Sequence, residues 1–563
     1  MSLLFRHRRD ALPGLAVAPV VALAALAAQP QFPAPDPDAF LAHVRTLSSA
    51  AFEGRAPGTP GEEKTVTYLA EQFRALGLDP AGEGGTYFQA VPLVGSTATL
   101  GPLVVRGGSA TREFAVRDEV VAWTKRAVPA VTLDRSELVF VGYGVEAPEQ
   151  QWDDYKGIDL AGKTMVVLVG DPPVPDPEDP TRLDPRVFGG PAMTWYGRWV
   201  YKYDAGAARK AAGVLIVHET GPAGYPFSIV QGRLSEQFDL RAPDHNVGRP
   251  AVEGWITLDA ARTLFAMAGQ DFDALKRRAV SRDFRPVPLG LTASMTIGNA
   301  LRPVDSRNVV ARLAGSDPAL RDEHVVLTAH WDHFGHGSPV NGETIRHGAV
   351  DNATGVAGLL ETARLLSRAT PRPRRPVLLL SVTAEEQGLL GSEYYVRHPL
   401  VPLEKTLAVL NFEMMNVYGR TRDLIVYGLG ASDLDDRIRE AAARQQRALR
   451  PDPVAEQGLF YRSDHFPFAR AGVPATWVGG GDDYVGKPAG YAQRVREEWL
   501  TSRYHKPADR VWPDWDLAGA MEDLQVYAEV ALEVANGARY PEWRPGAEFK
   551  AARDAMLTRT PAR

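Results

Sequence analysis

The sequence predicts an α/β protein: a mixed, mostly parallel sheet flanked by helices, with a second α/β unit inserted into it. Three observations carry this. Short apolar runs at 325–329, 377–382 and 407–412 read as strands covered on both faces. Stretches of helical period separate them, at 356–366 and from about Leu390. Between roughly Glu137 and Leu289 the texture changes to scattered β-type runs and long loops rich in Pro, Gly and Asp.

The chain begins with Arg6, Arg8 and Arg9, an apolar stretch over 12–28 and the small-x-small triplet Ala25-Leu26-Ala27. These are the marks of a cleaved signal peptide over residues 1–28. The mature protein is then expected to be exported, periplasmic or extracellular, with no stable membrane span. No cysteine follows the apolar run, which excludes lipid attachment at that point.

After a Pro-rich linker, residues 38–78 read as helical around one loop. Phe40, Val44 and Leu47 recur at helical spacing, and so do Val66, Leu69, Phe73 and Leu76. Short alternating stretches from Tyr87 to Trp123 suggest strands. The inserted unit has β-type runs at 138–141 and 165–169, a helix over 201–212, and the strand 213–217. Beyond Asn308, strand and helix alternate. A further strand is expected at 475–478 and a closing surface helix over 517–535.

Composition narrows the chemistry. With 563 residues, 45% hydrophobic and 23% charged, the chain can bury a large core. Its net charge is -6 and no long basic run occurs, so a nucleic-acid partner has no electrostatic footprint. There are no cysteines. Thiol catalysis and cysteine metal sites are therefore excluded, and any metal must be held by His, Asp and Glu.

In an open parallel sheet, ligands bind beyond the carboxyl ends of the strands. His330 and Asp332 follow the first catalytic-region strand, Glu385 and Glu386 the second, and Glu413 the third. Asp351 lies between the first strand and its helix, and His505 lies near the C-terminus. Singly, each has a plain explanation: a loop histidine, a solvated helix start, a helix cap, an ordinary ion pair. Together they are five candidate ligands and a spare carboxylate on one rim. Such a set suits two zinc ions sharing a carboxylate, each with a further carboxylate and an imidazole. One member of the Glu385–Glu386 pair can bind metal while its neighbour takes a proton. Asp332 can orient the His330 ring through its other nitrogen.

The sequence resembles the secreted bacterial zinc aminopeptidases with two co-catalytic zincs, a family that includes aminopeptidase Y and the glutamate carboxypeptidases. The matching motifs are Ala329-His330-Trp331-Asp332, the segment from Gly348 to Gly355 around Asp351-Asn352, Ala384-Glu385-Glu386-Gln387-Gly388, Asn411-Phe412-Glu413-Met414, Ser463-Asp464-His465 and Tyr504-His505. The segment from Gly54 to Gly61 is similar too. The resemblance implies a zinc-peptidase fold with two Zn2+ per chain. His330, Asp351 and Glu413 would hold one ion, and Asp351, Glu386 and His505 the other. Glu385 would be the general base, and the Asp351–Asn352 peptide would be cis. Glu413 departs from the aspartate more usual at that position.

The inserted unit resembles a protease-associated domain, through Phe140-Val141-Gly142-Tyr143-Gly144, Leu160-Ala161-Gly162-Lys163 and the stretch around Ala211-Ala212-Gly213. The expected organisation is a signal peptide (1–28), an N-terminal peptidase part (29–130), the insert (131–292), the zinc-peptidase domain (293–545) and a tail (546–563). Peptides with a free N-terminus are the expected substrates. Glutamate carboxypeptidases carry a long helical dimerisation domain after the last metal histidine, whereas segment 506–563 has room for one closing helix. A metal-free receptor-like binding protein, the reading from another class, would have lost ligands, and none is plainly lost. His333, His336 and His347 read as loop or supporting residues, His465 as lining or supporting the pocket, and Tyr461 and Arg462 as candidate substrate contacts.

Overall fold

The computed structural model describes residues 31–559, so the expected signal peptide lies outside the described residues. Helix α1 (Pro37–Leu47) is capped by Asp36, whose carboxylate accepts from the N–H groups of Asp38 and Ala39, and it buries Phe40, Val44 and Leu47. Helix α2 (Pro60–Ala75) begins with Pro60 and carries Glu62 and Glu63 in its first turn, where carboxylates suit the helix dipole. The long strand β1 (Val287–Leu313) begins inside the stretch 131–292 expected to be an insert. Then come β2 (His324–His330), α3 (Gly355–Ser367), β3 (Val377–Val382), α4 (Leu390–Arg397) and β4 (Thr406–Asn411). The chain continues through β5 (Asp423–Tyr427), α5 (Leu434–Arg444), β6 (Ala448–Pro451), β7 (Ala475–Gly480), α6 (Ala518–Asn536) and α7 (Lys550–Arg559).

Pairing gives the strand order β1-β3-β2-β4-β7-β5-β6. The four strands from β3 to β7 run parallel, while β1 and β5 join antiparallel. The mixed, mostly parallel sheet flanked by helices is therefore the architecture of this chain. Side chains alternate between its faces as a pleated strand requires. Val325, Leu327 and Ala329 pack under α1, α3, α5 and α6, whereas Val326 joins Val310, Leu380 and Phe468 on the other side. The chain runs from β2 to β3 on one side and later places β4 on the other, so the order switches at the carboxyl end of β2.

The stretch expected to be an insert packs around two cores that also take in residues between Leu103 and Trp123. Its strands Thr164–Leu168, Gly213–His218 and Val252–Thr257 lie parallel, with Val166 and Leu215 facing one core and Met165 and Val214 the other. The helix expected over 201–212 spans Trp199–Ala208 instead. Lys210 adopts a left-handed conformation (φ 55°), and Ala211 N–H donates to Gly206 O while Lys210 N–H donates to Ala207 O. Those paired bonds end the helix in a Schellman turn. Strand β1 runs unbroken through position 292 and pairs antiparallel with Phe88–Leu100.

Candidate metal centre

The centre is built on three strand ends. His330 is the last residue of β2, and its Nε2 lies 3.2 Å from Glu413 Oε1 and 3.4 Å from Asp351 Oδ1. Its Nδ1 faces Asp332, 3.2 Å from the carbonyl oxygen and 3.6 Å from Oδ1. The Asp332 carboxylate also accepts from Glu385 N–H at 3.0 Å and Glu386 N–H at 3.4 Å. One aspartate thus braces both the imidazole and the turn that carries the glutamate pair.

That pair does not start a helix. Glu385 O accepts from the N–H groups of Gly388 and Leu389, so the segment is a tight turn before α4. Glu413 is fixed from beyond β4: Ser463 Oγ donates to Glu413 Oε2 at 2.5 Å and accepts from Asn411 Nδ2 at 2.6 Å. The longer side chain in place of aspartate still reaches His330.

Asp351 lies between the other groups on a turn held from several directions. Asp509 accepts from Val350 N–H at 2.9 Å and Asp351 N–H at 3.1 Å. The Asp351–Asn352 peptide is cis, as the resemblance implies. Asn352 Oδ1 accepts from Gly355 and Met414 N–H, and its Nδ2 donates to Phe412 O, tying this turn to the Glu413 loop. Arg55, from the loop before α2, is 1% exposed. Its guanidinium donates to the carbonyls of Leu47, Trp331, His347 and Gly348, joining the two loops that carry His330 and Asp351.

Two triads bring donor atoms within 4.8 Å of one another: His330, Asp351 and Glu413, and His333, Asp351 and Glu386. His505 flanks the second, its Nε2 lying 3.3 Å from Asp351 Oδ2 and 3.3 Å from Glu386 Oε2. Its ring rests on Tyr504, with centroids 3.7 Å apart, and on Phe334 at 4.5 Å. His333 Nδ1 is 2.6 Å from Glu386 Oε1. All seven site residues expected from the sequence therefore meet in one place. Sequence reasoning gave Arg55, Asp509, Ser463 and His333 no specific role. His336 and His347 lie elsewhere, against Thr344 and the Ser48 carbonyl, and Tyr461 donates its hydroxyl to Glu548.

The electrostatics suit a cation. Burial, then neighbouring carboxylates, pushes Glu386 well above the usual carboxylate range. Burial also raises Glu385, with Glu413 adding to the effect and His330 opposing it. Burial works against the charged form of Asp351 as well, but His330 and His505 hold it well below its ordinary value. Nε2 of His505 and of His333 are buried without a hydrogen-bond partner. Crowded acids beside unpartnered imidazole nitrogens are a donor set that a hard-to-borderline dication would satisfy.

Residues 308–528 match the profile of peptidase family M28. The matched stretch contains every expected site residue, with Asp509 and His333, while Arg55 lies upstream of it. Leupeptin-inactivating enzyme 1 of Streptomyces exfoliatus is 30% identical over 260 residues, 45% of this chain and 54% of that protein. The probable lipoprotein aminopeptidase LpqL of Mycobacterium tuberculosis is 24% identical over 494 residues, covering 84% of this chain and 80% of that one. The chain spans about half the length of the Streptomyces enzyme, and 16% of a mouse aminopeptidase, NAALADL1, that it matches at 34% identity. Among solved structures, an aminopeptidase from Aneurinibacillus sp. strain AM-1 aligns over 91% of this chain and 96% of its own, with a TM-score of 0.46 and 20% identity.

Proposed function

We propose that the chain is a zinc-dependent exopeptidase that removes N-terminal residues from peptides, with two zinc ions and Glu385 as general base. The observation that carries this reading is the meeting of His330, Asp351, Glu413, Glu386 and His505 around one buried point, with Glu385 beside them but outside both triads. His330, Asp351 and Glu413 would hold one ion, and Asp351, Glu386 and His505 the other. When bound, the zinc would polarise the scissile carbonyl and supply a water acidic enough to lose a proton near neutral pH.

The chain's own residues do the rest. Glu385 Oε2 lies 3.9 Å from His330 Nε2, and burial makes its carboxylate more basic than an exposed one. It can take a proton from the attacking water and hand it to the leaving amine, work worth about 10²–10⁴-fold in rate. Asp332 keeps that carboxylate in place through the backbone N–H of Glu385. The inserted region, proposed here as a protease-associated domain, would limit substrate access. Export follows from the N-terminal signal pattern on the same terms.

The test compares peptides with a free N-terminus, a blocked N-terminus and a blocked C-terminus. Hydrolysis of the first and third, chelator-sensitive and lost by at least about 10²-fold in Glu385→Gln with metal content retained, is the expected result. Cleavage confined to N-blocked peptides would move the activity to the carboxypeptidase type. A purified protein without zinc or chelator-sensitive hydrolysis would end the enzyme reading.

A further inference from the structure

We infer that His333 is a fourth protein donor at the Asp351–Glu386–His505 end of the centre, so that the two ends bind zinc unequally. The inference rests on the two-metal reading above and concerns a residue outside the expected ligand set. Three observations carry it. His333 is the imidazole that completes the second triad within 4.8 Å, alongside Asp351 and Glu386. Glu386 is held from both sides: Oε1 is 2.6 Å from His333 Nδ1, and Oε2 is 3.3 Å from His505 Nε2. The His333 side chain is wholly buried, and its Nε2 has no hydrogen-bond partner. An unpaired buried polar atom carries a desolvation cost, which coordination of a cation by the imidazole would relieve.

The position of the ring is not accidental to the loop. His333 N–H donates to Arg55 O, and the guanidinium of Arg55 fixes the carbonyl of Trp331 two residues earlier. The ring also packs edge-on against Phe334. His336 and His347, on the same stretch of chain, turn to Thr344 and to the Ser48 carbonyl instead.

Four protein donors (two imidazoles and two carboxylates) satisfy the tetrahedral preference of zinc at that end. The His330–Asp351–Glu413 end has three, which leaves a position for water or substrate. The His333 end would therefore be the tighter and more structural of the two.

The competing role is a hydrogen-bond donor that steers Glu386 without touching metal. The experiment separates the two on the full-length protein, with zinc alone as the probe. Zinc binding is titrated against a chromophoric chelator in the unaltered protein, His333→Ala, His333→Asn and His336→Ala, and X-ray absorption counts imidazoles in the two-zinc form. Two sites of unequal affinity are expected, with three imidazoles shared between two ions. The tighter site should weaken by more than about 100-fold in both His333 variants, beyond the roughly 10–100-fold of an outer partner, and stay unchanged in His336→Ala. Two imidazoles in the unaltered protein, or recovery of the tight site by asparagine, would overturn the inference while leaving two zinc ions in place. A stoichiometry below two at saturating zinc would instead overturn the two-metal reading, and this inference with it.

Discussion

Asp332 carries no part of either triad, yet its carboxylate spans the His330 ring and the backbone of both glutamates. An amide at that position keeps one acceptor and turns an NH2 group towards a ring or an N–H. Asp332→Asn is therefore expected to lower zinc affinity about 10–100-fold in a chelator competition, with the fold intact by circular dichroism. Glu413→Ala should release one zinc equivalent, because Ser463 cannot replace the carboxylate it now donates to. Retention of both equivalents by metal analysis would remove Glu413 from the donor set. The residues most legible in the sequence are those immediately beyond an apolar run, such as His330 and Glu385–Glu386. Arg55 and Asp509 were not, because they act across the chain: Arg55 reaches Trp331 over 276 positions and Asp509 reaches Asp351 over 158. No local periodicity records such a bond.

At the level of elements, the turn from Asp351 into α3 has no spare volume. A Cβ on Gly355 would lie 2.2 Å from Asn352 Oδ1 and 2.6 Å from Phe412 O. Gly355→Ala should push Asn352 out of its bonds to Gly355, Met414 and Phe412, lowering zinc affinity more than it lowers the melting temperature. Central strands respond differently. Leu379 in β3 is 1% exposed and packs in the larger core, so Leu379→Ala should cost about 2–5 kcal/mol in a urea titration without altering zinc stoichiometry. Strands β2, β3 and β4 could be read from sequence because burial on both faces makes them continuous apolar runs. Strand β6 could not: Ala448 and Leu449 precede Arg450 and Pro451, and all four residues are partly or wholly exposed. Helix α5 has the spacing of Leu434, Ile438 and Ala441, but its many charges hid it among loops.

Across the whole molecule, residues 193–204 meet the stretch 455–548 through several specific contacts. Trp195 stacks near Phe466 with centroids 4.7 Å apart, Met193 N–H donates to Ala455 O, and Arg470 lies 3.5 Å from Asp204. Glu548 takes hydrogen bonds from Trp195 N–H and Tyr461 O–H at this junction. Burial pushes its carboxyl up from 4.5 to about 7. Because the folded state holds this proton more tightly than the unfolded one, the contribution is complete below about pH 4.5 and is lost as pH rises through about 7. The urea midpoint should fall between pH 5 and pH 8, and fall less in Glu548→Gln. An equal fall in both proteins would show that Glu548 titrates normally. The reach of the centre along the chain also sets when it can exist. Synthesis delivers Arg55 before the carboxylates, and His505 and Asp509 after them. A nascent or truncated product that stops short of them carries the acids without the final imidazole or the brace behind Asp351. The cluster is thus closed by residues on both sides of the acids in sequence, so cutting the chain before Asp509 would leave it without part of its frame.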